Sequence, residues 1–429
     1  MFQTLKNAWK IADLRSKLLF TAVIVVLYRI GSVIPVPFVN AELLSAWFSQ
    51  SGESVFAYFN TLSGQTFSQA TLFALSISPY ITASIVIQLL TIAIPALERL
   101  SKQGPEGRKK LTQITRYCTV GLALITAIGY YTFLNAMGML TVGAGVFEAI
   151  VIIACYCAGA SIIMWIAEKI NDHGIGNGIS IILFANIVVS LPGSIYQSFV
   201  TASGSKNKME YLFPVLMVVL LLAMIVFVVY VTNAERRLPV QYAKRQVGRR
   251  MYGGQNSYIP MKLNMSGVMP IIFASSIASI PATINLMTGN RATGFWKTIL
   301  DFFSTTSPVY MVIYFLLIIA FAYFYLAISF NPVEVANNLK NNGGSVPGIR
   351  PGKPTVDYIT KILGRITLIG AIFLGIVAAL PLLVGIINSK YAGLAFGGSS
   401  LLILVSVAIE TVKEVEAQMT MRHYKGFLE

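Results

Sequence analysis

Long apolar stretches recur along the whole 429-residue chain. Ten of them approach or reach the length of about 17–25 residues that a helix needs to cross a bilayer. They lie near residues 18–35, 75–95, 115–137, 147–167, 178–192, 211–233, 267–285, 308–330, 362–385 and 399–416. The fifth is short, which is typical of a helix that lipid does not wholly surround. The pattern predicts an all-α polytopic membrane protein with ten transmembrane helices.

A polar half-segment comes directly before the second apolar stretch. Small and polar residues crowd into it: Ser63, Gly64, Gln65, Thr66, Ser68, Gln69 and Thr71. Irregular backbone does not face lipid, because its polar groups would have no partners there. The half-segment therefore indicates either backbone in a protein-lined aqueous cavity or an ordinary external loop that leads into a helix. Both interpretations stay open at this point.

Composition supports a membrane protein and excludes several kinds of site. The chain is 55% hydrophobic and 11% charged, with a mean hydropathy of +0.71, which soluble globular domains do not reach. The three Cys (Cys118, Cys155 and Cys157) and two His predict neither a metal site nor a disulfide framework, and we expect no cofactor. The first apolar stretch runs into Pro-Val-Pro-Phe, so no cleavable signal peptide is predicted.

Positive charge is distributed unequally between the two sides of the predicted membrane. Twenty-six Lys and Arg residues fall on the side that holds both chain ends, and five fall on the other. Cytoplasmic segments carry the excess of Lys and Arg. We therefore expect both termini in the cytoplasm.

The ten predicted spans divide into two halves of five. The halves cover residues 1–192 and 211–429, joined by an external connection at 193–210. Because each half crosses an odd number of times, the two enter the membrane from opposite sides, as in an inverted repeat with its site at the interface. No clear sequence identity links the halves, so this inference is from topology alone. Long cytoplasmic loops are expected at 234–266 and 331–361.

The predicted spans lack the residues that membrane chemistry usually requires. None contains Asp or His, which mark ion and proton relays in transporters, and no nucleophile or zinc constellation of an intramembrane protease can be assembled. Gly-Ile-Gly-Asn-Gly at 174–178 is interpreted as a turn between membrane helices. Arg29, inside the first span, is expected to be paired or to extend outward. A secondary transporter and a membrane protease stay as alternative functions.

In place of such residues, the predicted spans contain aliphatic residues at helical spacing and small polar residues. Ile77 and Ile81 share one helix face, as do Ile179 and Leu183. The seventh span is rich in Ser and Pro, which let helices approach closely without a firm Leu-rich contact. Packing alone explains any single one of these residues. Together with the half-segment, they indicate a helix bundle that is able to open.

Two predicted cytoplasmic loops present clustered Arg and Lys. The first contains Lys244, Arg245, Arg249 and Arg250, and the second displays Arg350 between Pro-Gly turns. Such charge can determine topology alone. It also suits docking to a large anionic partner such as ribosomal RNA, where phosphate contacts supply most of the affinity.

Several long motifs occur in order along the chain. They are RIGSVIPVP at 29–37, FALSISPYITASIVIQLL at 73–90, GPEGRKKLTQITRY at 104–117, GIGNGISIILFANIV at 174–188, YAKRQVGRRMY at 242–252, FNPVEVANNLK at 330–340, VPGIRPGKPT at 346–355 and FGGSSLLI at 396–403. Through these motifs the chain resembles the SecY/Sec61-alpha family, whose members are the central channel subunits of protein translocases.

The resemblance implies an hourglass of ten helices around a central pore, closed by a plug near 61–72. The plug residues would include Ser63, Gly64, Gln65 and Thr66, and the pore ring would be Ile77, Ile81, Ile179, Leu183, Ile272 and Ile403. A lateral gate between spans two and seven would open to lipid, and the polar positions expected nearest it are Thr82, Ser84, Gln88, Ser275, Ser276 and Ser279. Leu183 departs from the common isoleucine of the family, and Gln65 from a frequent second glycine.

The resemblance also implies partners and a location. Lys244, Arg245, Arg249, Arg250 and Arg350 would dock the ribosome and the SecA motor ATPase. SecE and SecG subunits should accompany the chain, and signal peptides, nascent chains and membrane lipids should contact it. The location would be the bacterial plasma membrane. Energy must come from a partner, since no nucleotide site is present and no enzyme activity is expected.

Overall fold

The protein is described by a computed structural model, which is mostly helical. The structure describes residues 8–50, 60, 63–141, 145–203, 212–242, 245–247, 250–252, 256–265, 267–278, 280–281, 284, 307–387 and 397–425. The helices that precede residue 204 are α1 (Ala12–Gly31), α2 (Ala41–Gln50), α3 (Ser78–Ala93), α4 (Pro95–Lys102), α5 (Pro105–Ala136), α6 (Val146–His173) and α7 (Gly178–Ser203).

The remaining chain adds helices and short strands. The helices are α8 (Leu212–Asn233), α9 (Met269–Ala278), α10 (Pro308–Ser329), α11 (Pro332–Asn341), α12 (Lys353–Ile387) and α13 (Gly397–Lys425). The strands are β1 (Glu235–Tyr242), β2 (Arg245–Val247), β3 (Arg250–Tyr252), β4 (Asn256–Lys262) and β5 (Gly344–Ser345). The sequence predicts loops where these strands lie, since their charged residues mask the alternation of a half-buried strand.

Six helices of the described ranges are long and apolar enough to cross a membrane, and a bent pair makes a seventh if it counts as one span. That pair is α3 and α4, whose axes meet at 101°. The bend falls at Ile94, which is extended with φ −108° and ψ 113°. Pro95 follows, and the residue before proline is driven out of the helical region by steric conflict with the ring. The proline therefore explains where the apolar helix stops.

The helix α7 corrects the prediction of a short fifth span. It continues from Gly178 to Ser203 over 26 residues, with Pro192 inside it. The sequence pattern stops at this proline because the residues beyond it are smaller and more polar. A proline inside a buried helix is tolerated where neighbouring groups satisfy the freed carbonyl.

One large hydrophobic core joins helices from both parts of the chain. α9 contacts α3 on one side and α10 on the other, and α7 contacts α6, α8 and α13. α12 packs between α10 and α13. Buried residues from α1, α3, α7, α9 and α13 meet in this core. The early and late helices are therefore interleaved around a shared interior.

A small sheet connects two loops that are far apart in sequence. Its strand order is β4-β1-β5, with Leu238 opposite Ile259 and Gln241 opposite Ser345. We call it the loop sheet. It has its own hydrophobic core, in which Leu238 and Val240 pack with Ile359 of α12. The loop between α8 and α9 and the loop between α11 and α12 therefore form one folded unit rather than separate extensions.

Candidate functional site

The six aliphatic positions predicted for the constriction come from four helices or their caps. Five of them, all except Ile179, are only 1% to 6% exposed. Ile179 is partly buried and packs against the same hydrophobic cluster. The structure therefore brings side chains of α3, α7, α9 and α13 into one core. Their role as a seal stays a prediction.

The half-segment, residues 63–76, lies within the protein rather than on its surface. Ser63 is 1% exposed, and Thr66 and Thr71 are each 2% exposed. Gly64 is also buried, while Gln65 is partly buried. An ordinary external loop does not fit this burial. Most of the polar residues are instead enclosed by the helices around them, while Gln69 is exposed.

Hydrogen bonds within the half-segment satisfy its buried backbone. The Ser63 hydroxyl donates to the Asn60 carbonyl at 3.0 Å and accepts from the Phe67 amide at 3.1 Å. The Thr66 hydroxyl lies 2.9 Å from the Ser63 carbonyl and 3.1 Å from the Phe73 carbonyl. The density of Ser and Thr in the sequence thus has a structural reason, because irregular buried backbone needs such partners.

The backbone of the half-segment is locally strained. Gly64 has a φ of +69°, while Gln65, Ala70 and Ser76 have φ values of +70°, +47° and +53°. Residues with a Cβ cost about 1–2 kcal/mol in the left-handed region. Such conformations persist only where surrounding contacts enforce them. The half-segment is therefore held in place by its neighbours rather than by its own preference.

A glycine of α7 makes room for the Gln65 side chain. A Cβ placed on Gly193 would lie 2.9 Å from Gln65 Nε2. The missing side chain of Gly193 thus leaves the space that the longer Gln65 side chain occupies. This compensation involves two residues far apart in sequence, so no local pattern predicts it.

Several tethers attach the half-segment to its surroundings. The Tyr130 hydroxyl of α5 donates to the Phe67 carbonyl at 2.7 Å. The Leu72 amide donates to the Ile34 carbonyl at 2.9 Å, and the Val36 amide donates to the Ala70 carbonyl at 3.1 Å. These strand-like bonds fix the base of the half-segment beside the end of α1.

A cavity of about 390 Å³ opens between α3, α5 and α9 beside the half-segment. Thr82 of α3 and Ser276 of α9 both line it, as do Phe67 and Tyr130. Most of its lining is apolar. The two helices predicted to form the lateral gate therefore touch, with a space between them that the half-segment also borders.

The other predicted gate residues differ in position. Ser275 is buried and donates to the Ile272 carbonyl of its own helix at 2.9 Å. Ser84 is partly buried, and Gln88 is exposed and does not line the cavity. Ser279 lies outside the described residues. Thr82 and Ser276 are thus the predicted gate pair that the structure brings to one cavity.

The predicted docking residues are described only in part. Arg245 and Arg250 belong to the β2–β3 hairpin, where Arg245 pairs with Tyr252 and Arg250 with Val247. Lys244 and Arg249 lie outside the described residues. Arg350 is exposed, and its carbonyl accepts a hydrogen bond from the Thr355 hydroxyl at 2.9 Å. This bond fixes the turn that presents the Arg350 side chain.

Two ion pairs lie on the segments that flank the apolar helices. Lys102 donates to Glu98 at 2.6 Å and lowers the pKa of that carboxyl. Glu235 accepts from Arg237 at 2.9 Å and raises the pKa of that guanidinium. Arg237 also lies 4.8 Å from the centre of the Tyr258 ring. The exposed surface of the loop sheet is thus organised by charge as well as by strand pairing.

Sequence reasoning missed the partners of Arg29. Its guanidinium Nη2 donates to the Ala185 carbonyl of α7, so Arg29 is paired and does not extend outward. The neighbouring Tyr28 hydroxyl donates to Asn186 Oδ1 at 2.9 Å. A charge inside an apolar stretch was the available signal, since such residues usually face the interior of a bundle. Its partner could not be named without the fold.

Comparison with known proteins identifies the family. The SecY family profile matches residues 71–412. A protein translocase subunit SecY of Bacillus subtilis is 44% identical, and one of Streptomyces galbus is 42% identical, with 100% of each chain covered in both cases. The chain belongs to the SecY family. It is a protein translocase subunit, as the SecY relatives are named, and not an enzyme.

Solved structures share the SecY fold. A protein-conducting channel matches with a TM-score of 0.69 at 19% identity, over 94% of this chain and 92% of that chain. A SecY whose plug domain stabilises the closed state and maintains a membrane seal matches with a TM-score of 0.65 at 20% identity, over 94% and 92%. Sec61 from the canine ribosome–channel complex matches with a TM-score of 0.65 at 18% identity, over 94% and 92%. At these identities the likeness shows the SecY fold alone.

Proposed function

We propose that this SecY family member conducts unfolded secretory polypeptides across the bacterial plasma membrane, through a pore between two inverted five-helix halves. The halves are residues 1–192 and 211–429, joined externally by 193–210, with both termini in the cytoplasm. The excess of Lys and Arg on one predicted side supports this orientation. The interleaved contacts of early and late helices support a site at the interface between halves.

The observation that carries the proposal is the convergence of six aliphatic side chains from α3, α7, α9 and α13 in one buried cluster. A channel for unfolded chains must pass every type of side chain, so it cannot depend on specific pore ligands. An aliphatic constriction blocks the passage of ions because its apolar lining excludes water. Because its side chains are flexible, it still yields to a polypeptide.

The half-segment acts as a plug in this proposal. Its burial, its internal hydrogen bonds and its strained backbone support a segment that fills a cavity in the resting state. The solved SecY structure whose plug domain maintains a membrane seal supports the same role by analogy of fold. A segment with positive φ at side-chain-bearing residues stores strain, and it gives up that strain when it leaves its site.

The contact between α3 and α9 is the lateral gate in this proposal. The cavity that Thr82 and Ser276 line supports a seam with incomplete packing. Through an open seam, hydrophobic segments leave for the bilayer by their own free energy of transfer. Leu-type residues favour the membrane by about 0.3–0.6 kcal/mol each, and a central Arg opposes it by about 2.5–3.5 kcal/mol.

Partners supply the driving force. We propose that Lys244, Arg245, Arg249, Arg250 and Arg350 dock SecA or a ribosome, and that SecE and SecG accompany the chain. The exposed Arg350 on a fixed turn supports this role. The Sec61 of the canine ribosome–channel complex shares the fold. Phosphate contacts would make ribosome binding steeply dependent on salt.

A translocation assay in vesicles tests the proposal. The purified complex is reconstituted with SecA and ATP, and a secretory precursor should become protected from external protease. Transport of small solutes without movement of precursor would favour a secondary transporter instead. Cleavage of a model transmembrane helix would favour a membrane protease. Either result without precursor protection contradicts the proposal.

A further inference from the structure

A cradle formed by α1 and α7 lies against the half-segment. We infer that Tyr28 and Arg29 of α1, together with Ala185 and Asn186 of α7, seat the half-segment and set the fraction of time for which the pore is plugged. The inference rests on the proposed plug function. It adds positioning residues that lie outside the plug itself, and it names Gly64 as the residue that makes seating possible.

Gly64 lies close against the cradle, with no room for a side chain of its own. A Cβ placed on Gly64 would lie 3.0 Å from Arg29 Nη1, 3.0 Å from Asn186 Oδ1 and 3.1 Å from Arg29 Nη2. These three nearest atoms all belong to the cradle. A side chain at this position would force Arg29, Asn186 or the half-segment itself to shift. The positive φ of Gly64 adds a second reason for glycine here.

The same two helices hold the other end of the half-segment. The Tyr28 hydroxyl donates to Asn186 Oδ1 at 2.9 Å, and the Asn186 amide donates to the Ser76 hydroxyl at 3.3 Å. The Tyr28 ring also stacks on Phe73, with ring centres 5.4 Å apart and an angle of 5° between planes. Asn186 therefore links Gly64 near the start of the half-segment to Ser76 at its end.

Arg29 connects the two walls of the cradle. It lies in the last turn of α1, where the helix dipole favours a cation. Its Nη2 donates to the Ala185 carbonyl of α7, and no carboxylate lies within 4.0 Å of it among the described residues. The Ala185 carbonyl and the Tyr28 ring, whose centre lies 5.5 Å from Arg29 Cζ, therefore stabilise the guanidinium in place of a counter-ion. The Arg29 guanidinium is therefore held in place, and Gly64 packs against it.

A matched pair of glycine variants tests the cradle. Gly64→Ala should raise the resting ion conductance of the purified complex in planar bilayers by on the order of tenfold, which corresponds to about 1.4 kcal/mol. Gly138→Ala is the control. Gly138 has a φ of +66°, and a Cβ added to it would meet no atom within 4 Å, so the variant carries the same backbone strain without the contact. Its conductance should equal that of the parent.

A second-site variant tests whether the contact itself is responsible. Arg29→Ala removes two of the three close atoms around Gly64. The double variant, Arg29→Ala with Gly64→Ala, should raise the resting conductance by less than the two single-variant increases multiplied together, because the effects of residues in contact are not additive. A double variant that leaks as the product predicts would overturn the inference, because the two residues would then act independently.

A third pair of variants, Tyr28→Phe and Tyr323→Phe, tests the cradle if the Gly64→Ala protein does not accumulate. Tyr28→Phe removes only the hydroxyl that binds Asn186, and it should raise the resting conductance. Tyr323→Phe is its control, because that hydroxyl donates to the Gly364 carbonyl at 3.0 Å, away from the half-segment. Equal conductance of these two variants would also contradict the cradle.

Deletion of residues 63–70 separates this inference from the proposed plug function. If the deletion leaks while Gly64→Ala and Tyr28→Phe behave as their controls do, the plug function stands and the cradle is wrong. If the deletion itself conducts no more than the parent, the plug function is wrong. If the deletion and Gly64→Ala each raise the conductance while Gly138→Ala does not, the plug function and the cradle are both supported.

Discussion

The predicted ring contains one leucine, Leu183, among five isoleucines. Leu183 is 3% exposed in the core. A swap between leucine and isoleucine conserves volume and is usually tolerated when neighbours repack. The burial of Leu183 beside half-buried Ile179 is consistent with such repacking. We therefore expect closure of the proposed ring to depend on summed aliphatic volume more than on β-branching at each position.

Loss of that volume should open the ring to ions. Ile81→Ser, alone and with Ile179→Ser, should raise the resting conductance in planar bilayers, because wetting is opposed only by an apolar lining. Ile87→Ser is the matched control, since Ile81 and Ile87 are both 6% exposed on α3 but only Ile81 lies in the shared core. Ile87→Ser should lower stability without a leak. Equal conductance of all variants would contradict the ring.

Pairs of helices are held together by charge as well as by packing. Arg116 of α5 binds Glu168 of α6 through two hydrogen-bonding contacts of 2.9 Å and 2.7 Å. Glu168 is buried, while the Arg116 side chain is 50% exposed. A bidentate guanidinium–carboxylate pair is the strong form of such a bond. It fixes the rotation of α5 against α6, and α5 carries the Tyr130 tether of the half-segment.

Removal of Arg116 should destabilise this helix pair. Arg116→Ala leaves the buried Glu168 carboxylate unpaired, and we expect a loss on the order of 1–2 kcal/mol, reduced by the exposure of Arg116. Thermal unfolding in detergent measures it. Lys102→Ala breaks the exposed pair with Glu98 and should leave the unfolding temperature unchanged. A similar shift for both variants would mean that burial of Glu168 does not matter.

The α3–α9 seam should be open during translocation. Thr82→Cys and Ser276→Cys are introduced together into a chain from which the native Cys residues have been removed. The two new Cys residues should form a disulfide that blocks precursor transport until reductant is added. Both positions line one cavity, and a disulfide needs Cα atoms within about 7 Å. Cys at Gln88 and Ser276 is the control pair, because Gln88 is exposed away from that cavity. Full transport by an efficiently crosslinked pair would place the gate elsewhere.

The sequence predicts helices well and their relationships poorly. Apolar length locates the long apolar helices because hydrophobic burial in lipid needs only local composition, but it does not predict α2, α4 or α11. It fails at α7, where Pro192 and small residues hide the continuation of the helix. It also fails for the half-segment, where the bond from Tyr130 to Phe67 and the space left by Gly193 join residues far apart in the chain. Such pairings depend on tertiary packing, which a periodic pattern does not contain.

For the molecule as a whole, the loop sheet connects the proposed docking surface to the helices. β5 precedes the Arg350 turn and pairs with β1, which continues directly from α8. Ile359 of α12 lies in the same small core. A load on the Arg350 turn is therefore transmitted to α8 and α12 through strand pairing and packed side chains.

Charge reversal at this surface should weaken docking without loss of fold. Arg350→Glu should reduce the affinity for ribosomes or SecA, with a shallower dependence on salt, since the loss of each phosphate contact lowers the salt slope. Equilibrium binding to vesicles at several salt concentrations measures it. Lys10→Glu is the control, because it makes an equal charge change at an exposed residue near the start of the chain. The same loss in both variants would indicate a general effect of net charge.

The two proposed obstacles in the closed pore, the half-segment and the ring, are anchored only partly to the same helices. The tethers of the half-segment come from α1, the segment at 34–36, α5 and α7, whereas Ile272 and Ile403 of the ring belong to α9 and α13. A movement between early and late helices therefore widens the ring and leaves those tethers unbroken. The two obstacles still share supports, because Ile77 directly follows the half-segment and α7 carries ring positions as well as Asn186. If both proposed roles hold, a ring that widens first leaves the half-segment seated, so ions still meet a second barrier while the first is briefly absent.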